Sequence, residues 1–134
     1  MDTREAAQRW ADTWQRNWNA RNAEPIVALY APDAEYLVSP FREPNIGPEG
    51  ARVYLNRVLA EESEVSARFG DPIVDGDRAA VQWWANYVEA GRPITLAGTS
   101  VLRFDENGLV VDEWDAWEEI EGRRSPVGNW GRAR

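Results

Sequence analysis

The chain has 134 residues, of which 43% are hydrophobic, and this size and composition are typical of one globular domain with a single core. It contains no cysteine, no histidine and no lysine, so all fifteen positive charges are arginines. These absences exclude disulfides, thiolate nucleophiles, Ser–His–Asp catalysis and the usual zinc and haem ligands. Any acid–base chemistry must come from Asp, Glu, Tyr or water.

The formal net charge of −8 disfavours binding to nucleic acid and to anionic membranes. No apolar run is long enough to span a bilayer, and the N-terminus has no signal-peptide pattern. We therefore expect a soluble, cytoplasmic protein with no nucleic-acid or membrane partner, and we assign it no metal and no cofactor.

Three helices are predicted in the first half of the chain. Residues 3–21 carry an apolar stripe at three- and four-residue spacing, made of Ala7, Trp10, Ala11, Trp14 and Trp18. Asp2 and Glu5 resemble a capping box at its start. Residues 24–30 form a short second helix that Pro25 opens. Pro48 begins the third helix, whose apolar face holds Ala51, Tyr54, Leu55, Val58 and Leu59.

The remaining elements are predicted strands. The first covers residues 34–39, and three more cover residues 64–69, 79–88 and 94–104 before a last strand at residues 109–119. We expect an α+β domain with three helices on one face of a curved antiparallel sheet.

Residues 1–120 are predicted to form this domain, and residues 121–134 are predicted to form a coil tail. The tail carries several glycines and the cluster Arg123, Arg124, Arg132 and Arg134. We interpret the cluster as solvated rather than as a binding surface, with Trp130 holding the tail to the domain.

The stretch Leu109–Glu119 carries the strongest functional signal. It follows a hairpin turn signal and alternates, so one face holds Leu109, Val111, Glu113, Asp115 and Trp117. That face starts with aliphatic residues and should point at the core, where carboxylates must be paired, protonated or exposed to a wet cavity. The opposite face, with Asp112 and Trp114, is also mixed, so the sequence leaves the orientation open. Glu113 and Asp115 either make structural hydrogen bonds only or line a ligand pocket.

Four stretches resemble the nuclear-transport-factor-2-like superfamily, in its branch of SnoaL-like polyketide cyclases, ketosteroid isomerases and limonene epoxide hydrolases. They are the first helix through NARNAEPIVALYAPDAEY, then SPFREPNIGPEGARVYL, TSVLRFDENGLVVDEWDAW and GNWGR. The resemblance implies a cone in which a curved sheet wraps the N-terminal helix, with a pocket at the wide end. It also implies a homodimer through the outer sheet face, and many such relatives are bacterial. It selects no activity, because the superfamily includes isomerases, hydrolases, cyclases, dehydratases and binding modules.

The ketosteroid isomerase pattern is not met. Those enzymes use a Tyr on the first helix and two Asp residues, and the nearest positions here hold Trp14, Ser39 and Ser100. The base and the protonated acid are both missing, so the resemblance does not imply this activity.

The limonene-epoxide-hydrolase-like pattern is met in part. Tyr36 and Asp115 match its Tyr on the first strand and its Asp on the last strand. Trp84 and Asn86 align with its Arg-x-Asp, so one carboxylate and the guanidinium are lost. The match implies that Asp115 faces inward, with Asn86 and Tyr36 orienting a water molecule or the substrate.

The candidate site therefore combines acid–base groups with an apolar lining. Asp115 is the candidate general acid or base, and burial next to Glu113 should keep one of the two carboxyl groups protonated near neutral pH. Asn86 and Tyr36 complete the catalytic set. The expected lining is Trp14, Trp18, Val38, Tyr54, Leu55, Trp84, Gly98 and Ser100.

Three functions fit this site. An isomerase, cyclase, lyase or hydrolase would act on an apolar small molecule, whereas a binding module would hold the same molecule without turnover. The third is a structural dimerisation unit. An apolar set expected on the outer sheet face favours a homodimer under all three: Trp83, Tyr87, Val101 and Trp114.

Overall fold

The computed structural model describes residues 1–133 and contains three helices and a seven-stranded sheet. The helices are α1 (Thr3–Ala20), α2 (Ala23–Val27) and α3 (Gly47–Glu61). The strands are β1 (Tyr30–Leu37), β2 (Asn45–Ile46), β3 (Glu62–Phe69), β4 (Ile73–Asp75), β5 (Arg78–Glu89), β6 (Arg92–Phe104) and β7 (Val110–Glu121). The predicted α+β class and its three helices are confirmed. Strands β2 and β4 were not predicted, because two or three residues are too few to show alternation.

The sheet is mixed rather than purely antiparallel. Its strand order is β2-β1-β7-β6-β5-β3, with β4 paired to β5. Strands β1 and β7 run parallel, and Tyr36 lies beside Glu113 in their register. All other neighbouring pairs are antiparallel. The sheet is curved and does not close on itself, which is the cone expected from the resemblance.

Helix α1 begins with the predicted capping box. The Asp2 carboxylate accepts a hydrogen bond from the Glu5 N–H at 2.8 Å, and the Glu5 carboxylate accepts one from the Asp2 N–H at 3.3 Å. The apolar stripe of this helix is buried against the sheet: Ala7, Trp10, Ala11, Trp14 and Trp18. No helix within residues 1–133 combines the length and the apolar character needed to cross a membrane.

Helix α3 packs closely on the segment that carries β1. It starts at Gly47, which has a positive φ of 65°, and Pro48 follows at the first turn. A Cβ atom at Gly47 would lie 2.3 Å from the Pro32 carbonyl oxygen, so only glycine permits this contact. Helices α1 and α3 together cover the inner face of the sheet.

The C-terminal tail returns to the outer face of the sheet. The Trp130 ring packs edge-on against Trp84 at 6.1 Å, and the Arg68 guanidinium lies 5.5 Å from the Trp130 ring centre. The Asp71 N–H donates to the Gly131 carbonyl at 2.5 Å. Trp130 therefore holds the tail as the sequence suggested, and the last member of the arginine cluster, Arg134, lies outside the described residues.

Candidate functional site

A cavity of about 540 Å³ lies between the inner face of the sheet and helices α1 and α3. Five indoles form much of its wall: Trp10, Trp14, Trp18, Trp83 and Trp117. The expected lining residues that face it are Trp14, Trp18, Tyr36, Val38, Tyr54, Leu55 and Ser100. The cavity also contains six carboxyl groups and two guanidinium groups, so it is not uniformly apolar.

Glu113 and Asp115 both point into this cavity from strand β7. Their side chains are 0% and 8% exposed, whereas Trp114 between them is 59% exposed on the outer face. The sequence left this orientation open, and the structure resolves it in favour of inward-facing carboxyl groups. It also brings Tyr36 to the same place, since β1 is the parallel neighbour of β7.

A short chain of hydrogen bonds orients the Asp115 carboxyl group. The Trp83 Nε1–H donates to the Ser100 Oγ at 2.9 Å. The Ser100 hydroxyl in turn donates to the Asp115 Oδ1 at 2.5 Å. Because the indole occupies a lone pair of the serine, the hydroxyl proton is directed at the carboxylate.

A second chain of hydrogen bonds reaches Glu113 from helix α1. The Trp14 Nε1–H donates to the Tyr30 hydroxyl at 3.3 Å, and that hydroxyl donates to the Glu113 Oε1 at 2.6 Å. The Glu113 Oε2 has no N–H or O–H donor among residues 1–133. Burial and the neighbouring charge of Asp115 both favour a proton on this carboxyl group.

Burial separates the pKa values of the two carboxyl groups. The pKa of Asp115 is raised to about 6 by burial, against the opposing hydrogen bonds from Glu113, Ser100 and Tyr36. The pKa of Glu113 is raised well above its ordinary value, first by burial and then by the charge of Asp115. Both shifts favour the protonated form, so the pair keeps a proton to higher pH than a free carboxyl group does.

Tyr36 supplies a neutral phenol next to this pair. Its ring stacks on Tyr30 at 5.4 Å and meets the edge of Tyr54 at 5.7 Å. Burial, and then the charge of Asp115, raises the pKa of Tyr36 well above 10. The phenol therefore keeps its proton and acts as a hydrogen-bond donor to Asp115 or to a bound molecule.

Strand β5 has the opposite orientation to the one expected. Trp83 and Tyr87 are each 5% exposed and line the cavity, whereas Trp84 and Asn86 face the outer side. The Asn86 Oδ1 accepts a hydrogen bond from the Thr95 hydroxyl at 2.8 Å. The predictions of Asn86 as a catalytic residue and of Trp84 as a lining residue are therefore wrong, because neither side chain reaches the cavity.

Gly98 has a different role from the one expected. It lies on the inner face of β6, but a Cβ atom there would be 2.4 Å from the Ala116 carbonyl oxygen and 2.7 Å from the Trp117 Cβ. The glycine therefore makes room for the neighbouring strand β7 rather than for a ligand. Its expected place in the cavity lining is wrong for this reason.

Glu62 is a cavity residue that the sequence did not reveal. It lies in the uniformly polar stretch EESE at the end of α3, yet it begins strand β3 and is only 7% exposed. Its Oε1 accepts a hydrogen bond from the Trp18 Nε1–H at 2.8 Å. Burial raises the pKa of Glu62 to about 7, and the Trp18 hydrogen bond opposes this shift. No sequence pattern distinguishes it from its exposed neighbour Glu61.

A profile of the SnoaL-like domain family matches residues 7–113, and the chain belongs to this family. The family and the fold agree with the resemblance to the nuclear-transport-factor-2-like superfamily. No curated protein matches the sequence.

Three solved structures illustrate the shared fold. The epoxide hydrolase/cyclase-like enzyme SalBIII, described in pyran ring formation in the polyether salinomycin, superposes with a TM-score of 0.75 at 18% identity, over 87% of this chain and 93% of SalBIII. RV0760c from Mycobacterium tuberculosis has a TM-score of 0.75 at 16% identity, over 91% and 100% of the two chains. A ketosteroid isomerase-like protein from Catenulispora acidiphila DSM 44928, in complex with trimethylamine, has a TM-score of 0.69 at 18% identity, over 78% and 81%. At such identities the likeness establishes the fold alone.

Proposed function

We propose that the protein is an enzyme that uses Asp115 and Glu113 as an acid–base pair on an apolar small molecule bound in the indole-lined cavity. The observation that supports this most is that the two carboxyl groups, Glu113 and Asp115, are both buried and face the same cavity from one strand. Two acids whose environments push their pKa values apart can hold a base and an acid side by side near neutral pH.

In this proposal Asp115 is the general base. Its carboxylate takes a proton from the substrate or from a nucleophilic hydroxyl group, and the Tyr36 phenol donates a hydrogen bond to the substrate oxygen that gains charge. The proton on Glu113 stabilises the Asp115 carboxylate before the transfer. Asp115 then returns the proton to another atom of the substrate. Isomerisation, cyclisation, elimination and epoxide opening all need this pair of proton transfers.

One structural relative suggests a class of substrate for this proposal. SalBIII has the same fold and is described as epoxide hydrolase/cyclase-like. A buried carboxylate next to a neutral phenol suits the opening of an epoxide or the closure of an oxygen ring, since both reactions move a proton between oxygen atoms. Epoxides, lactones and polyketide-like ketones are therefore the substrates to test first.

The substitution Asp115→Asn tests this role. It keeps the side-chain volume and removes the base, so turnover of any substrate found in the panel should fall by about two to four orders of magnitude. Asp112→Asn is the matched control, since Asp112 lies on the outer face of the same strand and pairs with Arg103. Initial rates of both variants with the same substrate test whether Asp115 is the general base. Full activity of Asp115→Asn would remove Asp115 from the mechanism.

A binding protein without turnover is the second candidate. It is favoured by the fact that protein side chains already donate hydrogen bonds to both carboxyl groups, as in a network that only rigidifies a pocket. Hydrophobic ring compounds should then quench the indole fluorescence while the whole substrate panel stays unreacted. Asp115→Asn should change the affinity only modestly in that case.

A further inference from the structure

We infer that the molecule bound in this cavity carries a cationic amine, and that Glu62 binds this amine at one wall of the cavity. The inference rests on the proposed function, because it names the chemical class of the ligand of the same cavity. It is tested separately below.

The cavity has an excess of acidic groups. Its six carboxyl groups are those of Glu61, Glu62, Glu89, Glu113, Asp115 and Glu119. Its only guanidinium groups within residues 1–133 are those of Arg42 and Arg57. None of the six carboxyl groups forms an ion pair with an arginine in the described part of the chain. A low-dielectric cleft lined by one sign of charge concentrates ligands of the opposite sign.

Acidic groups predominate around Tyr87, whereas both signs of charge meet around Tyr54, and Glu62 acts on both rings. Three carboxyl groups act on the phenol of Tyr87, whose pKa is raised first by burial and then by Glu62, Glu119 and Glu89. The two arginines lie on the side of Tyr54, where the Arg57 guanidinium is 5.7 Å from the ring centre. Among residues 1–133, no arginine lines the cavity at this acidic wall. Arg21, outside the lining, donates to the Glu62 backbone carbonyl and lowers the pKa of the Glu62 carboxyl group by less than burial raises it.

Glu62 is the carboxyl group of this wall that most needs a partner. It is 7% exposed, and its one side-chain hydrogen bond within residues 1–133 is the neutral Trp18 indole N–H on Oε1. A carboxylate this buried is costly unless a cation and further donors meet it. An ammonium group on the ligand supplies both to the second oxygen, Oε2.

The surroundings of Glu62 suit an organic cation rather than a metal ion. In the described part of the chain, no three acidic side chains lie close enough together to hold a metal. The rings of Trp18 and Tyr87 line the same wall, and indole and phenol rings attract organic ammonium groups. The remaining indoles then hold the apolar body of the ligand.

Two probes of one shape test the inference: 1-adamantylmethylamine and 1-adamantylmethanol. At pH 8.5 the amine is protonated, and Glu62, with a pKa of about 7, is ionised. Titrations followed by indole fluorescence and calorimetry should show the amine binding about tenfold or more tightly than the alcohol. Glu62→Gln should make the two affinities about equal, and circular dichroism checks that the variant is folded.

Glu118→Gln is the matched control and should keep the preference for the amine, since Glu118 is exposed on the outer face of β7. Equal affinities of the two probes for the unmodified protein would overturn the inference and leave the role of Asp115 standing. A failure of both probes to bind would overturn it as well. A preference that survives in Glu62→Gln would place the amine elsewhere. The two-probe comparison on the unmodified protein does not depend on the folding of any variant.

Discussion

Glu113 is fully buried and forms no ion pair within residues 1–133, so its protonation should be visible in the stability of the protein. A carboxyl group whose pKa is raised by folding binds more protons in the native state than in the unfolded state. The stabilisation from this extra proton binding is complete below the ordinary carboxyl pKa near 4. It is lost as the pH rises through the pKa of the folded state. The folded-state pKa is about 6 for Asp115 and about 7 for Glu62, and the pKa of Glu113 is also raised.

The protein should therefore lose stability between pH 5 and pH 8. Each of these groups contributes a slope of up to about 1.4 kcal/mol per pH unit within its own window. Glu113→Gln should reduce this loss, because the amide needs no proton and still accepts the Tyr30 hydrogen bond. We expect the variant to be about 1–3 kcal/mol more stable than the unmodified protein at pH 8, and similar to it at pH 5.

Urea unfolding at the two pH values measures this effect. Glu118→Gln, on the solvent face of the same strand, should keep the pH dependence of the unmodified protein. Equal stability of the unmodified protein at pH 5 and pH 8 would contradict the proton uptake. A loss of stability in Glu113→Gln at pH 8 would show that its carboxyl group is favourable there.

Individual site residues were predictable where strand alternation marks them. Glu113 and Asp115 follow two aliphatic residues on one face, which favoured the inner side but left the orientation open, because the opposite face is also mixed. Tyr30 and Glu62 follow no such pattern. Glu62 lines the cavity beside Trp18 of α1, and the Tyr30 hydroxyl donates to Glu113. Both placements depend on tertiary contacts far apart in sequence.

At the scale of a strand, β5 shows why alternation alone can mislead. Both of its faces carry large apolar groups, since Trp83 points into the cavity and Trp84 is covered by the tail. The informative residues were the polar ones. Gln82 and Asn86 share the face of Trp84, and a face with two amides fits the outer side better than the core.

Strand β6 depends on the absence of a side chain at Gly98. Gly98→Ala places a methyl group against the backbone of β7, 2.4 Å from the Ala116 carbonyl oxygen, so the two strands must separate. We expect a loss of about 1–3 kcal/mol in the free energy of unfolding. Gly128→Ala is the control, because an added Cβ there meets no atom within 4 Å. Denaturant titrations of both variants test this prediction. Similar stability of the two variants would show that β7 can shift away from the added methyl group at little cost in free energy.

At the scale of the whole molecule, the order of elements and the resemblance predicted the cone and its covered inner face. The parallel pairing of β1 with β7 could not be predicted from alternation, since the pattern within a strand says nothing of the direction of its neighbour. The position of the tail was also beyond the sequence. Trp130 is one aromatic residue in a glycine-rich segment, and its contact with Trp84 depends on the folded sheet.

The outer sheet face still carries an apolar patch, although it is smaller than expected. Trp83 and Tyr87 face inward and so do not contribute to it. The patch consists of the cross-strand neighbours Val101 and Trp114, which are 41% and 59% exposed. Exposed apolar residues that cluster on a sheet mark an interaction surface.

We predict that this patch forms a homodimer in solution. A second copy of the same face would bury Trp114 against apolar groups, and a buried indole at the centre of an interface contributes a large share of the binding free energy. Trp114→Glu should therefore convert the dimer to the 15.2 kDa monomer, because it places a charge at that centre. Val53→Glu is the control, since Val53 is 64% exposed on α3, on the opposite side of the sheet from the patch. Sedimentation velocity of the three proteins at micromolar concentration distinguishes the species. A monomer in the unmodified protein would refute the dimer, and a dimer that persists in Trp114→Glu would place the interface on another face.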